Sequence, residues 1–137
     1  MSEVDARGPQ VDPYEDLYRA IHVSDWWDQS FNPPRVRSSA FSFSKPFSVN
    51  IASIIGLEGA IRHMIEILGK PQGGIVSFNC GNARTLGFDA RHEPDPNYPD
   101  NKAHANVYYD GSNNSRKRAA RLLADQCQTV HEPRFQS

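Results

Sequence analysis

Cysteine is scarce in this chain. Its 137 residues hold two, Cys80 and Cys127, far apart in sequence. That number and spacing give neither a disulfide framework nor a zinc-ligand pattern. Both are expected as reduced, partly buried thiols, the usual fate of free cysteine. Long apolar runs are missing as well. The most apolar stretch, 51–68, is broken by Ser53, Gly56, Glu58, Gly59, Arg62, His63 and Glu66, too often to span a bilayer. Residues 1–13 have no apolar segment, and Glu3, Asp5 and Asp12 are the wrong charges for a signal peptide. The expected location is the cytoplasm, with no membrane partner. A surplus of one charge is absent too. Lys and Arg number 15 against 16 Asp and Glu, a net charge of -1, so no global field draws the chain to nucleic acid or anionic lipid. There is no phosphate loop, no dinucleotide fingerprint and no Gly-x-Ser-x-Gly elbow.

What is present is ordinary globular material. Hydrophobic residues are 38% and charged residues 23%, close to average usage, and the length suits one domain that needs no disulfide or metal to fold. The expected division is a flexible N-terminal segment at 1–13, a single domain at 14–130 and a tail at 131–137. The first strand is expected at 16–23, with Arg19 pointing where apolar neighbours point. Ser24 is expected to cap a short turn, and 35–44 alternates like a strand, with Phe41 and Phe43 two apart among serines. A second extended piece is expected at 47–51. Leu57, Ala60, Ile61, Met64, Ile65 and Leu68 recur at three and four, which predicts a helix over 57–68 ended by Gly69 and Pro71. Strands are expected at 75–79, 88–92 and 103–109. Asn82 should cap a short helix at 83–86, and Ser115 a last helix at 116–127. The Pro-rich stretch 93–102 reads as a surface loop. Strands and helices in this order predict an α+β fold, with one mixed or mostly antiparallel sheet and two main helices.

Four groups of residues carry candidate chemistry. Arg19 is a guanidinium on a strand; it is expected either to bind a diphosphate through its planar fork of donors or to pair with Asp16 or Asp89. His92, Glu93, Asp95, Asp100 and His104 form a polar run that could supply a general base. Their spacing matches no metal motif, and no metal site is expected. His104 sits between Ala103 and Ala105, small flanks that leave its ring accessible, so Arg19, Ser39 and His104 are the candidate catalytic set. Trp26 and Trp27 are adjacent and cannot both face one way. With Phe31, Arg35 and Arg37 they form a candidate partner-binding surface on the arm 31–47. Arg116, Lys117, Arg118 and Arg121 make a basic stretch on the last helix, a candidate nucleic-acid contact.

Tyr18-Arg19 on an early strand, followed by Ser38-Ser39, resembles the opening layout of ADP-ribosyltransferase-like domains, including the small RES-type toxins. The resemblance covers about the first third of the chain. It implies that Arg19 binds the pyrophosphate or ribose of NAD and that the serine segment shapes the nicotinamide pocket. The family also places a catalytic glutamate on a late strand. The strand expected at 103–109 has none, and Glu93, in the preceding loop, is the nearest acid. The Leu-Tyr-Arg, Ser-Ser-Ala-Phe and Ala-His-Ala segments together resemble a pattern shared by small bacterial proteins, which implies no particular activity. Two functions are therefore expected in order. The first is an accessory, protein-binding subunit of a bacterial multi-protein or conflict system, such as defence or toxin–antitoxin, with no cofactor. The alternative is an NAD- or nucleotide-using transferase. RNA or DNA binding through the last helix stands third.

Overall fold

The chain order is β1 (Asp16–Ile21), a 3-10 turn (Ser24–Trp26), β2 (Trp27–Asp28), β3 (Arg35–Val36), a second 3-10 turn (Ser38–Ala40), β4 (Phe47–Ile51), α1 (Ala52–Arg62), a π-helical turn (His63–Ile67), β5 (Gly74–Asn79), α2 (Cys80–Thr85), β6 (Phe88–His92), β7 (His104–Tyr109), α3 (Asn113–Gln126) and β8 (Gln128–His131). These come from a computed structural model that describes residues 6–43 and 45–135. The fold is α+β. Six strands form one sheet in the order β6-β7-β4-β1-β5-β8, every neighbouring pair antiparallel, and β2 and β3 form a small second ribbon. No helix among the described residues is long and apolar enough to cross a membrane.

Alternation places the two layers. On β4, Phe47, Val49 and Ile51 are buried while Ser48 and Asn50 face the other way. On β7, Ala105 and Val107 are buried opposite His104, Asn106 and Tyr108. The apolar side packs beneath α3, whose Ala119, Ala120, Leu123 and Ala124 are buried in the same cluster. On the second side, Ala60 and Met64 pack with Ile75, Tyr18 and Ala20, which belong to β1 and β5. That cluster takes nothing from β4 or β7. The polar residues of those two strands are therefore left beside the helix, not under it.

The helix expected at 57–68 is present but begins earlier, at Ala52, and breaks at Gly56, whose φ of 69° and ψ of 161° interrupt the coil. Periodicity could be read only downstream of that break. The last turn widens into a π-turn at His63, an irregularity that often accompanies functional sites. Two caps differ from expectation. Asn79, not Asn82, caps α2 by accepting from the Asn82 N–H. Ser112, not Ser115, caps α3 by accepting from Ser115 N–H. In each case the true cap lies three residues ahead and the expected one is its donor. Ser24 makes no side-chain cap.

The expected strand at 35–44 is not one strand over 35–43, and residue 44 lies outside the described residues. Only Arg35–Val36 pair, with Asp28 and Trp27. The chain then turns at Ser38–Ala40 so that Ala40 and Phe41 reach full burial. Burial of Phe41, not strand alternation, explains its spacing. The ends are also more tied than expected. Val11 N donates to Ala90 O at 3.0 Å and His92 N to Pro9 O at 2.8 Å, and Arg7 holds Asp110 through two hydrogen bonds. At the other end, His131 pairs with Ile75 in the edge strand β8, and Arg134 N donates to Gln72 O. Residues 1–5, 136 and 137 of the expected lead-in and tail lie outside the described residues.

Candidate functional site

The site begins with a discontinuity in the sheet. β1 pairs with β5 over all six of its residues, from Asp16↔Asn79 to Ile21↔Gly74. With β4 it pairs only at Leu17↔Ile51 and Tyr18↔Asn50. Beyond Tyr18 the two strands part, and the next side chain, Arg19, fills the opening. Its Nε donates to Ala40 O at 3.1 Å and its Nη1 to Ser48 O at 2.9 Å. Aromatic rings wall it in, Phe47 closest at 4.8 Å from the guanidinium carbon to the ring centre, then Trp26, Phe43 and Phe41 at 5.7–6.0 Å.

Arg19 is 8% exposed and is the one buried charged residue among those described. The carboxylate partner expected for it is not there. Asp89 is engaged by Arg7, Arg84 and Arg91, and no described carboxylate forms a salt bridge with Arg19. Its Nη2 makes no hydrogen bond to the described residues and is not sealed from solvent. Burial without a counter-charge pulls its pKa down to about 10.

Arg19 lies at the wall of a cavity of about 300 Å³. Ser48 and Asn50 reach it from β4, His104 from β7, His22 from the end of β1, His63 from the π-turn, and Asp95 and Tyr98 from the loop between β6 and β7. The β4–β7 register sets Asn50 opposite His104 and Ser48 opposite Asn106. His104 Nδ1 is 2.6 Å from the Glu93 carbonyl oxygen, which can only accept, so Nδ1 carries the proton. In the neutral ring Nε2 is then an acceptor, and Ser48 Oγ lies 3.2 Å from it. Burial, then Lys70 and Arg19, hold His22 below the usual imidazole value. Burial, then His104, does the same to His63. Asp95 is the single carboxylate residue of the lining.

Of the candidate catalytic set, Arg19 and His104 line this cavity and Ser39 does not. Ser39 is exposed and lies in a separate groove with Arg35, Arg37, Ser38 and Arg121. The serine that meets His104 is Ser48. Reasoning on the sequence passed over Ser48, Asn50, His63 and Tyr98. The run Phe-Ser-Val-Asn-Ile at 47–51 was a readable signal: strict alternation marks Ser48 and Asn50 as sharing one polar face.

The partner-binding candidates divide. Trp27 is 2% exposed, and its indole N–H donates to Ile21 O at 3.0 Å. It is a core residue and offers no surface, because turning the chain at Ser24–Trp26 tucks it against the sheet. Trp26 is half-buried between His22 and Phe43. Phe31 is exposed, with the Arg35 guanidinium 4.8 Å over its ring, and Arg37 Nε donates to Trp27 O. On α3, Arg116 donates to Asn113 Oδ1, while Lys117 and Arg118 are exposed. Arg121 joins Arg35 and Arg37, but Asp28 and Asp125 line the same groove and offset them. His92, from the polar run of the loop, points its Nε2 at Lys102 O. Glu93 accepts from Gly8 N, Asn106 and Tyr108, which together with Arg7 hold its carboxyl below the usual range although burial opposes them. That carboxylate is not in the cavity lining. No group of three or more His, Cys, Asp or Glu among the described residues is placed to hold a metal ion.

An antiparallel α+β domain with a small polar cavity, lined by Arg19, three histidines and Asp95, where its central sheet parts is thus the class that fold and site define. Compared with protein-family models, curated proteins and solved structures, the chain matches none of them.

Proposed function

We propose that this chain binds a phosphate-bearing small molecule of the nucleotide or NAD class, with Arg19 as the anchor for its phosphates. The observation that carries the reading is a nine-tenths buried arginine at the wall of a cavity, with no carboxylate partner among the described residues and with its Nη2 making no hydrogen bond to them. A buried, unpaired charge costs several kcal/mol even after relaxation. Ring contacts of about 0.5–2 kcal/mol return part of that. A bound anion would return the rest, which is the physical reason to keep an arginine in this position. Burial is the first cause that pushes His22 and His63 toward the neutral form, and at His22 the positive charges of Lys70 and Arg19, which an anion would offset, add to it.

Size supports the same class. The cavity is near the lower bound of roughly 300–1,000 Å³ for small-molecule sites. A second hollow of about 620 Å³ adjoins it, sharing His63 and Tyr98 and lined further by Ile55, Ile67 and Pro99. The His63 and Tyr98 rings stand edge to face, 5.5 Å apart, between the two. A ligand with charged phosphates in the first space and a flat ring in the second matches this division. Transferase chemistry through Glu93 is not part of the proposal, because its carboxylate is occupied elsewhere. The accessory-subunit reading keeps Trp26 and Phe31 but loses Trp27, and no covered or complementary surface supports it further.

Calorimetry with pyrophosphate, ADP-ribose and NAD tests the proposal. Binding that disappears in Arg19→Gln supports it. Equal heats for wild type and Arg19→Gln refute it.

A further inference from the structure

Ser48 has the surroundings of a nucleophile. Its hydroxyl is exposed to the cavity and meets His104 Nε2 at 3.2 Å. The other ring nitrogen is held at 2.6 Å by the Glu93 carbonyl oxygen. That bond fixes the tautomer and aims the basic nitrogen at the serine, so a nucleophile, a base and an orienting acceptor stand in series. A serine–histidine contact alone is common on protein surfaces. Two further donors distinguish this one. Asn50, two residues along the same strand face, accepts from Asn101 through Oδ1, and its own amide N–H₂ donates to none of the described residues. Arg19 Nη2 is likewise uncommitted. Both residues line the cavity into which Ser48 opens, where donors would meet charge developing on a phosphoryl group.

We propose that Ser48, with His104 as its general base, is a nucleophile toward phosphorus, and that the site transfers or hydrolyses a phosphodiester or phosphoanhydride bond of its ligand. The phosphorus substrate class rests on the anion-binding reading; the serine–histidine pair does not. In the first step Ser48 Oγ forms a bond to phosphorus and the P–O bond to the leaving group breaks. The hydroxyl proton passes to His104 Nε2 and from there to the leaving oxygen. In the second step a water gives its proton to the same nitrogen, attacks phosphorus and releases the serine, which takes the proton back. No oxidant, reductant or metal enters either balance.

The test uses the full chain and diisopropyl fluorophosphate, whose P–F bond breaks when a serine oxygen attacks. Peptide mapping by mass spectrometry should place one adduct on Ser48. Ser48→Ala should abolish it, and His104→Gln, checked for folding by circular dichroism, should slow it by roughly 100-fold or more, the scale of general-base assistance. Millimolar pyrophosphate should slow labelling of the wild type. An unlabelled Ser48 in a protein that still binds pyrophosphate overturns the nucleophile and leaves the binding reading intact. Labelling of Ser48 that His104→Gln does not slow overturns the pair. Labelling that depends on His104 but ignores pyrophosphate supports the pair and overturns the phosphate-bearing substrate class.

Discussion

Arg19 donates through Nη1 to the backbone carbonyl of Ser48 at 2.9 Å, across the gap where β1 and β4 have stopped pairing. The guanidinium supplies a donor where the neighbouring strand no longer runs alongside, so it is both part of the sheet and the wall of a cavity. Arg19→Met separates the two roles. It strands the Ala40 and Ser48 carbonyls, at about 1–3 kcal/mol each if they stay dry. It also ends the desolvation of a charge, which offsets much of that loss. The expected net change in urea denaturation is under about 2 kcal/mol. A loss on the order of 4 kcal/mol or more would make Arg19 a structural strut first.

Trp27 is expected to behave as core. Trp27→Ala should cost about 3–5 kcal/mol, where an exposed docking tryptophan would cost within roughly 0.5 kcal/mol. Gly74→Ala checks the same packing from the other side. A β-carbon there would meet Trp27 Cζ2 at 2.5 Å and His131 O at 2.8 Å, so this small change should also destabilise. A Gly74→Ala protein as stable as wild type would contradict the packing.

Acid should weaken the fold before carboxylates titrate. Burial is the first cause that lowers His22, His63 and His131 below their ordinary value of 6.5. A histidine with a lowered folded pKa takes up its proton more readily when unfolded. Its full stability is therefore present above about 6.5 and is lost as pH falls from there through the folded pKa. The melting temperature should drop between pH 7 and 5, and saturating pyrophosphate should shrink the drop. A melting temperature flat across that interval, with and without the anion, would contradict the burial assigned to these rings.

Tyr108 donates to Glu93 Oε1 at 2.6 Å. Burial first, then this bond and the carboxylate charge, push its pKa up to about 12. In a spectrophotometric titration, Glu93→Gln should bring one tyrosine downward, though short of 10, because burial remains. Ligand binding should persist in the variant. Loss of binding would return Glu93 to the candidate site.

The sequence was legible where one periodicity ruled. The stripe of Leu57, Ala60, Ile61 and Met64 marked α1, the apolar run of Ile75, Val76 and Phe78 marked β5, and the two alternating faces of 103–109 marked β7. It was opaque where a side chain served two masters. Phe41 and Phe43 read as strand alternation, yet Phe41 is spaced by a 3-10 turn into the core. Arg19 was visible as a charge among apolar neighbours, but that it wedges between two strands follows from register, which the sequence does not carry. Ser39 and Ser48 both lie on polar-apolar alternations. Only the pairing of β4 with β7 selects the one that reaches His104.

The most direct test titrates the full chain with ADP-ribose and pyrophosphate by calorimetry at low ionic strength, beside Arg19→Lys. Wild-type binding should be measurable at or below millimolar ligand. Lysine keeps the charge but loses the fork, so affinity should fall at least about tenfold, or 1.4 kcal/mol. Absence of heat from the folded wild type at millimolar concentrations of both ligands would contradict the anion-binding account.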